Sequence, residues 1–269
     1  MEKEIEMKQS VGVDLHFRTF GSGPPLVILH GLFGSGDNWM TLARELSADF
    51  TIYLPDLRNH GRSVWTETMD YRSMAEDVLR LMDHFQLSRA HIMGHSMGGK
   101  VVMTLALHAP QRVSTLVVVD IAPRIYRLEE HHRLLTTLAA VNLTAFQNRT
   151  QLDAYLAPAI PQMDTRQLIL KNIYRSDQGD FAWRMNVGGL LSNLNAVGDD
   201  TTFVGCPPVD LPALFIAGGA STYIHDADEE PIRKLFQTAK VVRIPGAGHW
   251  VHSDAPDVLL AQVRAFLLS

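Results

Sequence analysis

Short β-branched runs alternate with amphipathic helical stretches along most of this chain, and that rhythm limits the fold to a mostly parallel sheet with helices on its faces. Residues 26–29, 51–54, 91–93, 113–119, 214–217 and 241–244 read as strands. Residues 38–46, 71–85, 97–108, 229–236 and 256–268 carry apolar side chains at helical spacing. Residues 5–9 and 13–20 flank a Gly-containing turn and read as a further antiparallel hairpin, which brings the expected sheet to eight strands. Over 123–205 the rhythm stops. Leu134, Leu135, Leu138, Leu152, Tyr155 and Leu156 suggest helices there, and no strand is expected. The expected architecture is therefore an α/β core of residues 1–122 and 206–269, with a helical lid of residues 123–205 inserted in it.

The 269 residues suffice for one such domain with a sizeable core. A formal net charge of −5 and the lack of any lysine or arginine block argue against nucleic acid or an anionic membrane as a partner. No apolar run is long enough to span a bilayer, and the first residues lack the pattern of a signal peptide. Cys206 is the single cysteine, which excludes an internal disulfide and suits a reducing compartment. A cytoplasmic protein is expected.

Gly94-His95-Ser96-Met97-Gly98 matches G-x-S-x-G and falls between an expected strand and an expected helix, the context that this motif requires. Ser96 would sit on a sharp, strained turn, with glycines two residues away on either side because a side chain there would clash. The following helix would aim its free N–H groups at the same point. His30-Gly31-Leu32-Phe33-Gly34 follows the strand at 26–29. Acyl transfer builds negative charge on a carbonyl oxygen, and the N–H groups of Leu32 and Met97 are the candidates to hold it. The glycines also serve a tight turn, and His30 reads as a packed histidine. Of 12 histidines, His249 stands out, in a Gly-rich loop after the last expected strand, where the base of such a site falls in chain order. His252 is its competitor. His95 neighbours Ser96, but the turn should point it away.

His30-Gly31, the run 56–63 (DLRNHGRS), the elbow 94–100 (GHSMGGK), the run 119–123 (VDIAP) and Gly248-His249-Trp250 together resemble the YbfF-type carboxylesterases over nearly the whole chain. The resemblance implies an α/β-hydrolase fold with a lid, acting on acyl esters and thioesters. Most lidded hydrolases of this kind carry their acid 28 residues before the histidine, which here is Ser221. Serine cannot hold the charge that stabilises an imidazolium, so a carboxylate must come from elsewhere. Asp120 ends the strand after the nucleophile's helix, and active-site groups gather at the carboxyl ends of parallel strands. The resemblance implies the same relocation. Asp226 and Asp228, just beyond Ser221, are rivals, and Asp120 could instead cap a lid helix. Ser221 would then be an auxiliary group bonded to Asp120 or His249.

Asp56, Arg58 and His60 read as a polar network beside the site. Trp39 and Trp250 suit the core, and Phe33, Tyr126, Phe181, Trp183 and Tyr223 are candidates to line a pocket under the lid. His131-His132 is a poor metal chelate, because adjacent helical residues diverge. The expected chemistry is hydrolysis of a small-molecule acyl ester or thioester through an acyl-enzyme on Ser96, with His249 as base, Asp120 as acid and no cofactor or metal. Alternatives on the same constellation are C–C bond hydrolysis, a lyase, peracid formation, or a relative that binds ligand without turnover. Dehalogenase and epoxide hydrolase chemistry is disfavoured, because the elbow carries serine.

Overall fold

The computed structural model describes residues 12–199 and 201–269. In chain order the first half comprises β1 (Phe17–Phe20), β2 (Pro25–Leu29), α1 (Met40–Leu46), β3 (Thr51–Pro55), α2 (Tyr71–His84), β4 (Ala90–His95), α3 (Met97–His108) and β5 (Val113–Val119). The inserted stretch comprises α4 (Glu129–Ala139), α5 (Arg149–Leu156), α6 (Met163–Lys171), β6 (Ile173–Arg175), β7 (Phe181–Trp183), α7 (Val187–Ser192) and α8 (Leu194–Gly198). The sheet then resumes with β8 (Ala213–Gly218), α9 (Glu229–Leu235), β9 (Lys240–Ile244), α10 (Val251–Asp254) and α11 (Pro256–Leu267).

The strand order is β1-β3-β2-β4-β5-β8-β9, and only β1 runs antiparallel to its neighbour. From β2 the chain first goes outward to β3, then returns to the other side for β4. That reversal opens a crevice at the carboxyl ends of β2 and β4, where ligands of open α/β sheets bind. Each central strand is buried on both faces. Val27 and Leu29 pack with Met74 and Val78 of α2 and Val101 of α3, whereas Leu26 and Ile28 pack with Leu42 of α1 and Leu259 of α11. This is the period-2 alternation of a strand clad with helices on both sides.

Seven strands pair in this sheet among the described residues, against eight expected. The expected strand at 5–9 lies outside the described residues. The strand expected at 13–20 is trimmed to Phe17–Phe20, because side chains take the N–H groups before it. Val13 N–H donates to Asp77 (2.6 Å) and His16 N–H to Ser63 Oγ (2.8 Å). The inserted stretch also departs from expectation. It carries a small antiparallel hairpin, Ile173 opposite Trp183 and Arg175 opposite Phe181. Three-residue strands are too short for alternation to show in the sequence.

The loops around the crevice are held by buried polar groups. Arg58 grips Asp77 of α2 with two prongs of 2.6 Å each, and both side chains are almost fully buried. Asp56 accepts from the N–H of Gly36 (2.8 Å) and Arg62 (2.9 Å). His30 Nδ1 donates to Gly31 O (2.8 Å) and its Nε2 accepts from Leu57 N–H (2.9 Å). His60 Nδ1 donates to Arg58 O (2.9 Å), and its Nε2 accepts from Phe33 N–H (3.2 Å). Both imidazoles are therefore locked neutral. Burial pushes His30 down to about 4 and His60 down to about 3.

These depressed values set the sign of the acid response. Unfolded histidine takes up its proton near 6.5, well before the folded state does. Stability is therefore fully present above that pH and lost as the pH falls towards the folded values, by about 1.4 kcal/mol per pH unit for each of the two histidines. Urea unfolding at about pH 7, 6 and 5 should show a steadily falling midpoint; a flat midpoint across that range would contradict the locked-neutral assignment.

Candidate active site

Backbone strain marks the elbow. Ser96 has φ 52° and ψ −120°, a conformation that L-residues avoid. The flanking glycines permit it by close approach. A Cβ on Gly94 would lie 2.2 Å from Gly98 O, and one on Gly98 would lie 2.5 Å from His30 O. Ser96 N–H still pairs with Val119 O of β5 (3.0 Å), so the turn begins at the last rung of the parallel ladder.

One strand further along, Asp120 repeats the device. It too has positive φ (51°), and its N–H pairs with Ile216 O of β8 (2.8 Å). Its carboxylate is fully buried. Oδ1 accepts from Gly218 N–H (2.9 Å), and Oδ2 accepts from Ser221 Oγ. The remaining approach to Oδ2 is taken by His249 Nδ1 at 2.8 Å. His249 Nε2 lies 3.0 Å from Ser96 Oγ. A single imidazole thus joins the hydroxyl of Ser96 to the carboxylate of Asp120. In this chain of bonds Nδ1 carries the hydrogen, and Nε2 is free to accept a proton from the hydroxyl.

The rival carboxylates are engaged elsewhere. Asp226 pairs with Arg243 (2.5 Å) on the surface, and Asp228 pairs with Arg124 (3.1 Å) while capping His225 N–H. Ser221 bonds the carboxylate of Asp120 and accepts from Tyr223 N–H (3.2 Å). His252 packs on Trp39, ring centroids 4.7 Å apart, and burial pushes it down to about 4. His95 points away from the hydroxyl; its Nε2 donates to the carbonyl of His249 (2.8 Å), steadying the loop that carries the imidazole.

Met97 opens α3, so its N–H has no acceptor within the helix. Leu32 sits in a turn closed by Gly34 N–H to Gly31 O (3.0 Å). The turn abuts the elbow, since a Cβ on Gly31 would lie 3.2 Å from Ser96 Cβ.

Aromatic groups complete the surroundings. Tyr223 lies face to face with His249, centroids 3.7 Å apart and planes 17° from parallel. Tyr126 stacks on Tyr223 (5.4 Å), donates to Tyr223 O (2.6 Å), and carries the Arg124 guanidinium over its ring (4.1 Å). Phe33 stacks on His131 of α4 at 6.0 Å. Trp39 is fully buried in the core, and Trp250 is partly buried against it. Phe181 and Trp183 belong to the hairpin, where Phe181 lies under Arg175 (4.6 Å). The aromatic stack on His249 and the approach of His131 were not legible in the sequence, because loops and the helices between β5 and β8 set them.

Among the described residues no helix is long and apolar enough to cross a membrane. The chain is similar to known proteins over most of its length. The chain is 38% identical to Esterase YbfF of Escherichia coli, over 90% of this chain and 92% of that protein. It is 36% identical to the sn-1-specific diacylglycerol lipase ABHD11 of Mus musculus, over 91% of this chain and 81% of that one. A solved structure described as a marine microorganism esterase superposes with a TM-score of 0.92 at 38% identity, covering 95% of this chain and all of that one. The alpha/beta hydrolase fold family matches residues 24–256. With its doubly clad parallel sheet, its serine elbow and a sequence match of this extent, the chain belongs to the alpha/beta hydrolase fold family.

Proposed function

We propose that this protein is a serine esterase that hydrolyses carboxylic esters through an acyl-enzyme on Ser96. The observation that carries the reading is the unbroken run from Ser96 Oγ through His249 to Asp120, 3.0 Å and 2.8 Å long at its two steps. His249 takes the hydroxyl proton as Ser96 attacks the acyl carbon. The N–H groups of Leu32 and Met97 hold the resulting oxyanion. The leaving alcohol takes the proton from His249, and water repeats the cycle to free the acid. Asp120, fixed by Gly218 and Ser221, holds the imidazole tautomer and faces the imidazolium. The esterase and lipase named among its relatives support an ester as substrate. Thioesters call for the same steps with a thiol leaving group. The stretch of residues 123–205 would act as a lid, and the lone Cys206 suits action in the cytoplasm.

A fluorophosphonate probe should label the protein and leave Ser96→Ala unlabelled; an unlabelled wild type would favour a binder without turnover. A chain-length series of p-nitrophenyl esters and acyl-CoAs then sets acyl length and leaving group. Asp120→Asn should cut kcat by about 10⁴ with the fold intact, because the amide favours the wrong tautomer. Asp226→Asn should match wild type, and the reverse result would reassign the acid.

The face of Tyr223 lies against His249, and neutral rings disfavour so direct a sandwich. An imidazolium welcomes it. Tyr223→Leu should therefore lower kcat several-fold, while Tyr223→Phe keeps it near the wild-type value. An unchanged kcat in the leucine variant would reduce Tyr223 to a packing residue.

A further inference from the structure

Beside Phe33 lies a hollow that is partly open to solvent. A cavity of about 210 Å³ opens between the core loop at 33–38 and the inserted segment, and Phe33 forms part of its wall. Five permanently cationic side chains line it: Arg18, Arg62, Arg149, Lys171 and Arg184. His16 adds an imidazole. Only two carboxylates face them, and both are already engaged. Asp37 pairs with Arg18 (2.8 Å), and Asp56 spends its oxygens on the N–H groups of Gly36 and Arg62.

The other cations have no acid to answer them. Among the described residues none of Arg62, Arg149, Lys171 and Arg184 forms an ion pair. Arg149 gives one N–H to Ile173 O (2.8 Å), and Arg184 lies over the ring of Tyr174 (4.8 Å). A chain of net charge −5 has acids to spare, yet here it gathers cations from five separate segments around one hollow. Like charges held together repel, and a bound anion relieves that repulsion.

The geometry points to a binding site for a compact, multiply charged phosphate group in this cavity. Size and charge choose the ligand class. At about 30 Å³ per water the cavity has the volume of about seven waters, enough for a phosphate or diphosphate and too small for a drug-sized ligand. A single carboxylate would leave most of the positive charge unanswered, whereas guanidinium forks match phosphate oxygens in pairs. An adjoining groove of about 560 Å³ shares Arg149 and Lys171, so a phosphate carried on a larger molecule has room for its remainder. The lining residues come from both the core and the inserted segment, so occupancy would tie the two together. This assignment is independent of the esterase reading.

The test is calorimetric titration of the full chain carrying Ser96→Ala with inorganic pyrophosphate at fixed ionic strength. The expected result is saturable one-to-one binding, weakened at least tenfold in Arg62→Gln/Lys171→Gln and in Arg184→Gln. Arg133→Gln, an exposed change on α4, should leave it unaltered. Circular dichroism of each variant reports whether its fold is intact. Titration with glycerol phosphate separates the two sources of the group: tighter binding than pyrophosphate means that the phosphate arrives on an organic ligand, and weaker binding means a free anion. No saturable binding, or binding indifferent to both cavity variants, overturns the site.

Discussion

Everything at this site hangs on the parallel pairing of three neighbouring strands. β4 and β5 end level, His95 opposite Val119, and β8 sets Ile216 beside Val119 before running two residues further to Gly218. The last ladder bonds, Ser96 N–H to Val119 O and Asp120 N–H to Ile216 O, then deliver a hydroxyl and a carboxylate side by side. Parallel pairing alone does this. In a sheet with β5 reversed, residue 120 would stand at the opposite edge.

Strain is concentrated where the chain leaves those strands. Ser96 and Asp120 both take positive φ, at a cost of about 1–3 kcal/mol each. Neither residue could hold that conformation alone. The last four residues of each strand before them are buried, and the side chain of Asp120 is pinned by two donors besides the imidazole. A rigid sheet thus supports two strained turns, and the strain lifts the reactive groups clear of the backbone. The base, by contrast, rides on a loop. His95 below, Tyr223 against its face and Asp120 at its edge fix the ring of His249 from three directions.

Charge is distributed with the same economy. Groups close to the hydroxyl are neutral or singly charged, and the nearby histidines of the supporting shell are held neutral by burial. Cations are gathered around the hollow beside Phe33 instead. Phe33 faces that cavity, and its carbonyl is held by Asn172 of the inserted segment (2.7 Å). The turn that would stabilise an oxyanion is therefore braced from both parts of the molecule.

Local patterns were enough to place much of this in the sequence. The helix at 97–108 and the strand at 113–119 stand where the apolar periodicity put them, because each is buried and strongly patterned. The elbow was legible since only glycine survives two residues from a serine at such a turn. The lack of a carboxylate at Ser221 could be counted from chain spacing alone. What spacing could not decide was which aspartate answers it. Asp226 and Asp228 are nearer in sequence, yet the β5–β8 pairing sets Asp120 at the edge of the imidazole and leaves the other two to Arg243 and Arg124. The small hairpin at 173–183, the stack of Tyr223 on His249 and the ring of cations behind Phe33 likewise exist only in three dimensions. The amino-acid sequence by itself determined the main-sheet strands and the serine elbow, since these follow from periodicity and backbone sterics within a few residues. Only the tertiary structure decided which carboxylate meets His249, the setting of that imidazole and the cationic cavity, because those depend on contacts between segments far apart along the chain.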